Sequence, residues 1–211
     1  TYSQIDELSE KMACNFIRNN ISNCPIVLIL PRGIKFLIAV LGVLKSKNYY
    51  IPLDPSAPSN RINRIIDSAN TNIIIDERTY DNFITNCVSF GDLGIKDKDS
   101  KNPLVYMIFT SGSTGTPKGV PISNDSLMNY LQWAGATYCL TTNTKVAFLT
   151  SVSYDLTITS YLLPLLHGSK IIVFNPSSNM QALEELVQYK ENIDFLKITP
   201  SHLKIIQSSY P

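Results

Sequence analysis

The sequence predicts an α/β fold, a mostly parallel β-sheet flanked by helices. Between residues 3 and 205, segments with apolar residues at helical spacing alternate with short β-rich runs, the pattern of successive βαβ units. An apolar share of 44% in 211 residues is enough to bury a sizeable core. No internal repeat or low-complexity tract breaks the alternation.

Taken in order, Ile5, Leu8, Met12, Phe16 and Ile17 recur at helical spacing, and Ile26 to Leu30 reads as a buried strand. Ile34 to Leu44 is a helix, Tyr50-Ile51 a short strand stopped by Pro52, Arg61 to Ala69 a helix and Asn72 to Ile75 a strand. Gly91 to Asn102 is polar, charged and without period, so it reads as a surface connection to the apolar strand Leu104 to Thr110. Val120 to Ile122 is a further β-run. Helices follow at Asp125 to Ala136, Thr157 to Leu166, Gln181 to Tyr189 and Ser201 to Gln207, separated by strands near Val146 to Leu149, Lys170 to Phe174 and Phe195 to Ile198. The chain opens at Thr1 without Met, and its last helical run leads straight into Pro211, so a piece of a longer domain is expected.

Charge narrows the function. Lys and Arg total 18 against 17 Asp and Glu, a formal charge of +1, which leaves no electrostatic footprint for nucleic acid or an anionic membrane. The apolar runs are too short to span a bilayer. Cys14, Cys24, Cys87 and Cys139 form no CxxC pair and stand beside no His cluster, so four reduced, mostly buried thiols of a cytoplasmic protein are expected, and no metal site. His167 and His202 have no second ligand-type residue at useful spacing and read as solvated.

The densest chemistry is Thr110-Ser111-Gly112-Ser113-Thr114-Gly115-Thr116-Pro117-Lys118-Gly119, directly after a buried strand. A Gly, Ser and Thr loop there can bring backbone N–H groups and hydroxyls close to phosphates, and Lys118 adds a cation. It is not a Walker loop, because GxxxxGK[ST] would need Ser or Thr where Gly119 stands. A flexible linker is the alternative, but linkers rarely hang between two apolar β-runs.

The string YMIFTSGSTGTPKGV (Tyr106 to Val120) resembles the phosphate-binding signature of the adenylate-forming enzymes. LKSKNYYIPLDPSAPSNRINRII (Leu44 to Ile66) resembles a stretch typical of amino-acid activators, SYDLTITSYLLPLLHG (Ser153 to Gly168) the later substrate-site motif, and Thr1-Tyr2 with Glu7-Leu8 the opening motif. By this resemblance, residues 1–211 are identified as the N-terminal part of one adenylation (AMP-binding) domain of a nonribosomal peptide synthetase. The C-terminal remainder and small lid domain would be absent, and the fold would be the large N-terminal subdomain.

The resemblance implies attack of an amino-acid carboxylate on the α-phosphorus of ATP, then thioester loading onto a carrier protein's phosphopantetheine. Thr110, Ser111, Gly112, Ser113, Thr114, Gly115 and Lys118 would hold the nucleotide, with Thr110, Ser111 and Lys118 acting in catalysis. Mg2+ would neutralise the phosphates from ligands outside this stretch, which by itself is expected to be weakly active or inactive. Neighbouring synthetase domains would be further partners. Lys47-Asn48 replaces small residues of the pattern, and Asn124 stands where a His is common.

Asp155 matches the Asp that binds the substrate's α-ammonium, while helix capping near Leu156 is its alternative role. Leu156, Thr159 and Lys197 match positions lining the side-chain pocket. The partial signature Asp, Leu, Thr, Lys resembles that of domains selecting aspartate or asparagine, a choice left open at this point. An ammonium in a small pocket invites an oxygen partner, whereas a solvated strand-end Lys is the alternative. Two rival readings remain, an acyl- or aryl-acid ligase sharing the loop and a non-catalytic nucleotide-binding fragment. Asp155 and the YIPLDP string weigh against the first, and pyrophosphate exchange separates the second.

Overall fold

A computed structural model describes residues 1–85, 103–111, 116–174 and 179–209, with the side chains of 111, 179, 180 and 209 excepted. The expected connection 91–102 and loop residues Gly112, Ser113, Thr114 and Gly115 lie outside them. The chain forms two compact units, Thr1–Met128 and Asn129–Pro211.

In the first unit, α1 (Tyr2–Arg18) leads to β1 (Pro25–Ile29), α2 (Ile34–Lys45), β2 (Tyr49–Leu53), α3 (Ser59–Ala69), β3 (Ile74–Asp76) and α4 (Tyr80–Ile84). β4 (Leu104–Ser111) and β5 (Pro117–Ser123) complete a five-stranded sheet of order β3-β1-β2-β4-β5. Thr1 caps α1: its Oγ accepts from the Gln4 N–H while the Gln4 side chain reaches back to the Thr1 backbone. β1 pairs in parallel with β2 and β3 on its two sides, which leaves Ile26, Val27 and Leu28 fully buried. One face of the sheet packs Val27, Ile51, Leu53 and Phe109 against Ile62, Ile65 and Ile66 of α3. Each fully buried aliphatic side chain contributes about 1.5–3 kcal/mol.

The sheet is mostly parallel, as expected; β5 runs antiparallel to β4, because only five residues separate Ser111 from its partner Pro117, too few for a parallel crossover. Two expectations need correction here. Pro52 does not stop β2, since it pairs with Leu28 inside the strand. The ladder from β2 to β4 is confined to Tyr50↔Tyr106, so the N–H that proline lacks is not required further along. Cys14 is buried and disulfide-bonded, whereas Cys24 is half-buried and Cys139 exposed, so a set of four reduced, mostly buried thiols does not hold. The short helix α4 carried too few apolar residues to be read from periodicity.

Lys47-Asn48 turns the chain from α2 into β2. Lys47 is left-handed, with φ of 61°, at a point where small residues are usual. Asn48 is buried and its amide bridges two connections. Oδ1 accepts from the Cys24 N–H at 2.9 Å, and Nδ2 donates to Ile21 O at 3.0 Å and Ser46 Oγ at 2.9 Å.

The second unit holds most of α5 (Asn124–Tyr138), which begins in the first, then β6 (Lys145–Phe148), a 3₁₀ turn (Asp155–Thr157), α6 (Ile158–His167), β7 (Lys170–Val173), α7 (Asn179–Gln188) and α8 (Pro200–Ser209). β6 and β7 pair in parallel. The strand expected over Phe195 to Ile198 reduces to a single bridge, Val146↔Phe195. Ala147, Leu149, Phe174, Ala182 and Leu183 form the core beneath.

Asn48→Ala is expected to lower stability by about 1–3 kcal/mol, because it removes a buried amide and leaves the part-buried Cys24 N–H and Ile21 C=O without their side-chain partner. Urea unfolding of the variant against wild type checks this; a change under about 0.3 kcal/mol would mean water replaces the amide without loss.

Candidate functional site

The first unit presents the base of the Gly/Ser/Thr loop as the end of the β4–β5 hairpin. Pairing runs out at Thr110↔Lys118 and Ser111↔Pro117, and Thr110 Oγ1 donates to Lys118 O at 3.5 Å. Both Thr110 and Lys118 are exposed. Arg61 of α3 donates through Nη2 to Phe109 O at 3.4 Å, which ties the helix to the last buried residue before the loop. Arg61 was visible within the Leu44 to Ile66 motif, but nothing in its spacing marked a contact with β4. Gly119 is required by close packing: a Cβ there would meet Met107 Sδ at 2.5 Å and Phe109 Cζ at 3.0 Å.

The second unit gathers Thr159 and Lys197, with Asp155 one helical turn before Thr159. The turn that carries Asp155 is locked from below. Thr157, fully buried, donates to Ser151 O at 2.6 Å and accepts from Thr150 Oγ1 at 2.6 Å. Asp155 is exposed, and among the described residues its Oδ1 accepts only the adjacent Leu156 N–H at 2.7 Å. It does not accept from N–H groups deeper in the turn, as a capping side chain would. Oδ2 has no partner among the described residues. Leu156 is half-buried beside it.

Lys197 turns inward. Its Nζ donates to Thr159 Oγ1 at 2.7 Å and Tyr130 Oη at 2.8 Å, and it stands 5.5 Å from the centre of the Tyr130 ring. Thr159 is fully buried on α6. Among the described residues no carboxylate pairs with this ammonium. Tyr130 was missed from sequence, because on α5 it reads as one more large residue of a packing face.

Neither histidine is merely solvated. His167 Nδ1 lies 3.0 Å from Leu163 O, and its ring covers Gly135 so closely that a Cβ there would meet it at 2.5 Å. His202 pairs through Nδ1 with Thr199 Oγ1 at 3.2 Å, and Thr199 Oγ1 also accepts the His202 N–H at 3.3 Å, capping α8. Both are structural.

An open cleft of about 540 Å³ lies elsewhere, lined by Ile172, Phe174, Glu185, Tyr189 and Glu191 among others, and no predicted site residue borders it. A hydrogen bond from Lys145, with the charge of Lys170, holds Glu191 below the usual carboxylate range. Among the described residues no group of three or more His, Cys, Asp or Glu side chains could hold a metal ion. No described helix is long and apolar enough to cross a membrane.

The family model for the AMP-binding enzymes matches residues 1–210, and the chain belongs to that family. Tyrocidine synthase 3 of Brevibacillus parabrevis is 31% identical over 220 residues, covering 98% of this chain and 3% of the synthase. The chain thus spans a small fraction of the length of the curated relatives it matches.

Among solved structures, the N-terminal subdomain of Klebsiella oxytoca NpsA in complex with 3-hydroxyanthranilyl-AMSN superposes with a TM-score of 0.81 at 17% identity, covering 100% of this chain and 56% of that one. Holo-AB3403, a four-domain nonribosomal peptide synthetase bound to AMP and glycine, gives a TM-score of 0.77 at 24% identity, covering 100% of this chain and 16% of that one. At such identities the likeness establishes the fold, which is that of the N-terminal subdomain.

Gly119→Ala is expected to cost about 1–3 kcal/mol by overpacking Met107 and Phe109. Thermal unfolding checks it; an unchanged melting temperature would show that Met107 swings clear at no cost.

Proposed function

We propose that this chain belongs to an amino-acid-activating adenylation domain of a nonribosomal peptide synthetase, and that its substrate is aspartate or asparagine. The observation that carries the reading is the inward set of Lys197, which is half-buried and meets Thr159 and Tyr130. An ammonium so placed calls for an oxygen-bearing substrate side chain, because burying it against hydrocarbon would leave a charge unpaired.

In this reading Asp155 receives the substrate's α-ammonium through its unpartnered oxygen as a charge-assisted hydrogen bond. Leu156 and Thr159 shape the pocket. Thr110, Ser111, Gly112, Ser113, Thr114, Gly115 and Lys118 hold the phosphates of ATP. The substrate carboxylate oxygen forms a bond to the α-phosphorus, the bond from that phosphorus to the bridging oxygen breaks, and pyrophosphate leaves with the electron pair. No nucleophilic side chain is needed, since positioning and charge stabilisation carry such a step. Transfer to a carrier protein's phosphopantetheine thiol would follow, in the cytoplasm where ATP is available.

Pyrophosphate exchange on the natural full-length protein, run against a panel of amino acids, tests the reading. Aspartate or asparagine should be fastest, and leucine and phenylalanine should be rejected by a factor on the order of 10² or more. Fastest exchange with a large apolar amino acid would overturn the substrate assignment.

Two variants test the roles. Asp155→Ala should weaken amino-acid recognition by about 2–5 kcal/mol while leaving the KM for ATP in place. A loss of thermal stability with the amino-acid KM intact would return Asp155 to a capping role. Ser113→Ala combined with Thr114→Ala should raise the KM for ATP; unchanged ATP affinity and adenylation rate would remove the loop from the mechanism.

A further inference from the structure

Lys197 is the vertex of a closed triangle. Its Nζ lies 2.8 Å from Tyr130 Oη and 2.7 Å from Thr159 Oγ1, and those two oxygens lie 2.7 Å from each other. An ammonium only donates, so both hydroxyls accept from it, and between them one hydroxyl proton is shared. Among the described residues, one ammonium proton and one hydroxyl proton stay without an acceptor. A single hydroxyl lone pair remains, on an oxygen already polarised by the neighbouring cation. The triangle is thus donor-rich and carries a positive charge with no described carboxylate beside it.

A second feature fixes its geometry. Tyr130 begins a row of ring contacts along α5, to Trp133 at 6.1 Å and from Trp133 to Tyr138 at 5.9 Å, which ends on Phe195 at 5.1 Å from Tyr138. Phe195 is the residue bridged to β6, two positions before Lys197, and its carbonyl accepts from the Ala147 N–H at 2.9 Å. The backbone that carries Lys197 and the hydroxyl that orients its ammonium are therefore joined by one row of ring contacts. A long flexible side chain that would otherwise sample many rotamers is delivered in one.

We propose that Tyr130 is a positioning residue for Lys197, and that the Tyr130–Thr159–Lys197 triangle selects a side-chain carboxylate, making aspartate the substrate in preference to asparagine. The proposal rests on the aspartate-or-asparagine reading of this pocket and decides between its two members. A carboxylate only accepts hydrogen bonds, so it takes up both unused protons and neutralises the ammonium. A carboxamide neutralises nothing, and its NH₂ must point its positive end towards a cation or find an acceptor elsewhere.

The test is pyrophosphate exchange on the natural full-length protein, with aspartate and asparagine titrated separately for wild type and Tyr130→Phe, alongside thermal unfolding. The phenyl ring keeps the aromatic row and the ring face towards Lys197 and removes only the hydroxyl. Wild type is expected to favour aspartate over asparagine at least tenfold in kcat/KM, on the scale of one hydrogen bond to a charged group. Tyr130→Phe should raise the KM for aspartate about tenfold, change kcat by less than about twofold, raise the asparagine KM less, and leave the melting temperature in place.

Wild-type preference for asparagine overturns the proposal, as does an aspartate KM indifferent to Tyr130→Phe. An equal KM rise for both amino acids with a lowered melting temperature overturns it too, reducing Tyr130 to a packing role. Fastest exchange with a large apolar amino acid instead sinks the pocket reading beneath it.

Discussion

The burial of β1 is the constraint on which the first unit depends. Ile26, Val27 and Leu28 have no solvent face, so the strand needs hydrogen-bonding neighbours on both edges and cover on both sides. β2 and β3 supply the edges in parallel, and parallel pairing in turn demands the crossovers through α2 and α3. α3 then lays Ile62, Ile65 and Ile66 on the sheet and places Arg61 against Phe109. Through that chain of requirements the residue that opens the loop is tied to the centre of the core. The switch to an antiparallel β5 puts the loop at a hairpin end, held by strand pairing on both flanks.

Polar accounting shapes both units as firmly as apolar burial does. Asn48 satisfies a part-buried backbone donor and a part-buried backbone acceptor from two connections. Thr157 satisfies a backbone acceptor and a side-chain hydroxyl beneath the turn that carries Asp155. Lys197 follows the same rule with a different result: its hydroxyl partners solvate the ammonium without cancelling its charge. In the first two places the polar network is complete and structural. In the third, no carboxylate among the described residues meets the charge.

Much of the fold could be read from the chain. Amphipathic runs such as Ile5 to Ile17 and buried runs such as Ile26 to Leu30 kept their type, with boundaries moving by a few residues. The readings that failed share a physical cause. Proline was taken as a strand terminator, yet Pro52 remains within β2 because the ladder to β4 is brief. Phe195 to Ile198 has the composition of a strand, but strands are made by partners, and only Phe195 finds one. His167 has an unremarkable sequence context, and its role comes from a glycine on another helix.

By itself the sequence determined the α/β class, the order of most elements and the family, because periodicity and contiguous motifs are local properties written in consecutive residues. It also named Asp155, Thr159 and Lys197 as candidates. Only the tertiary structure decided that Lys197 faces inward, that Tyr130 from α5 meets it, and that Arg61 reaches Phe109. Tyr130 and Lys197 stand 67 positions apart, and Arg61 and Phe109 stand 48 apart. No periodicity spans such separations, since what joins these residues is the packing of whole elements.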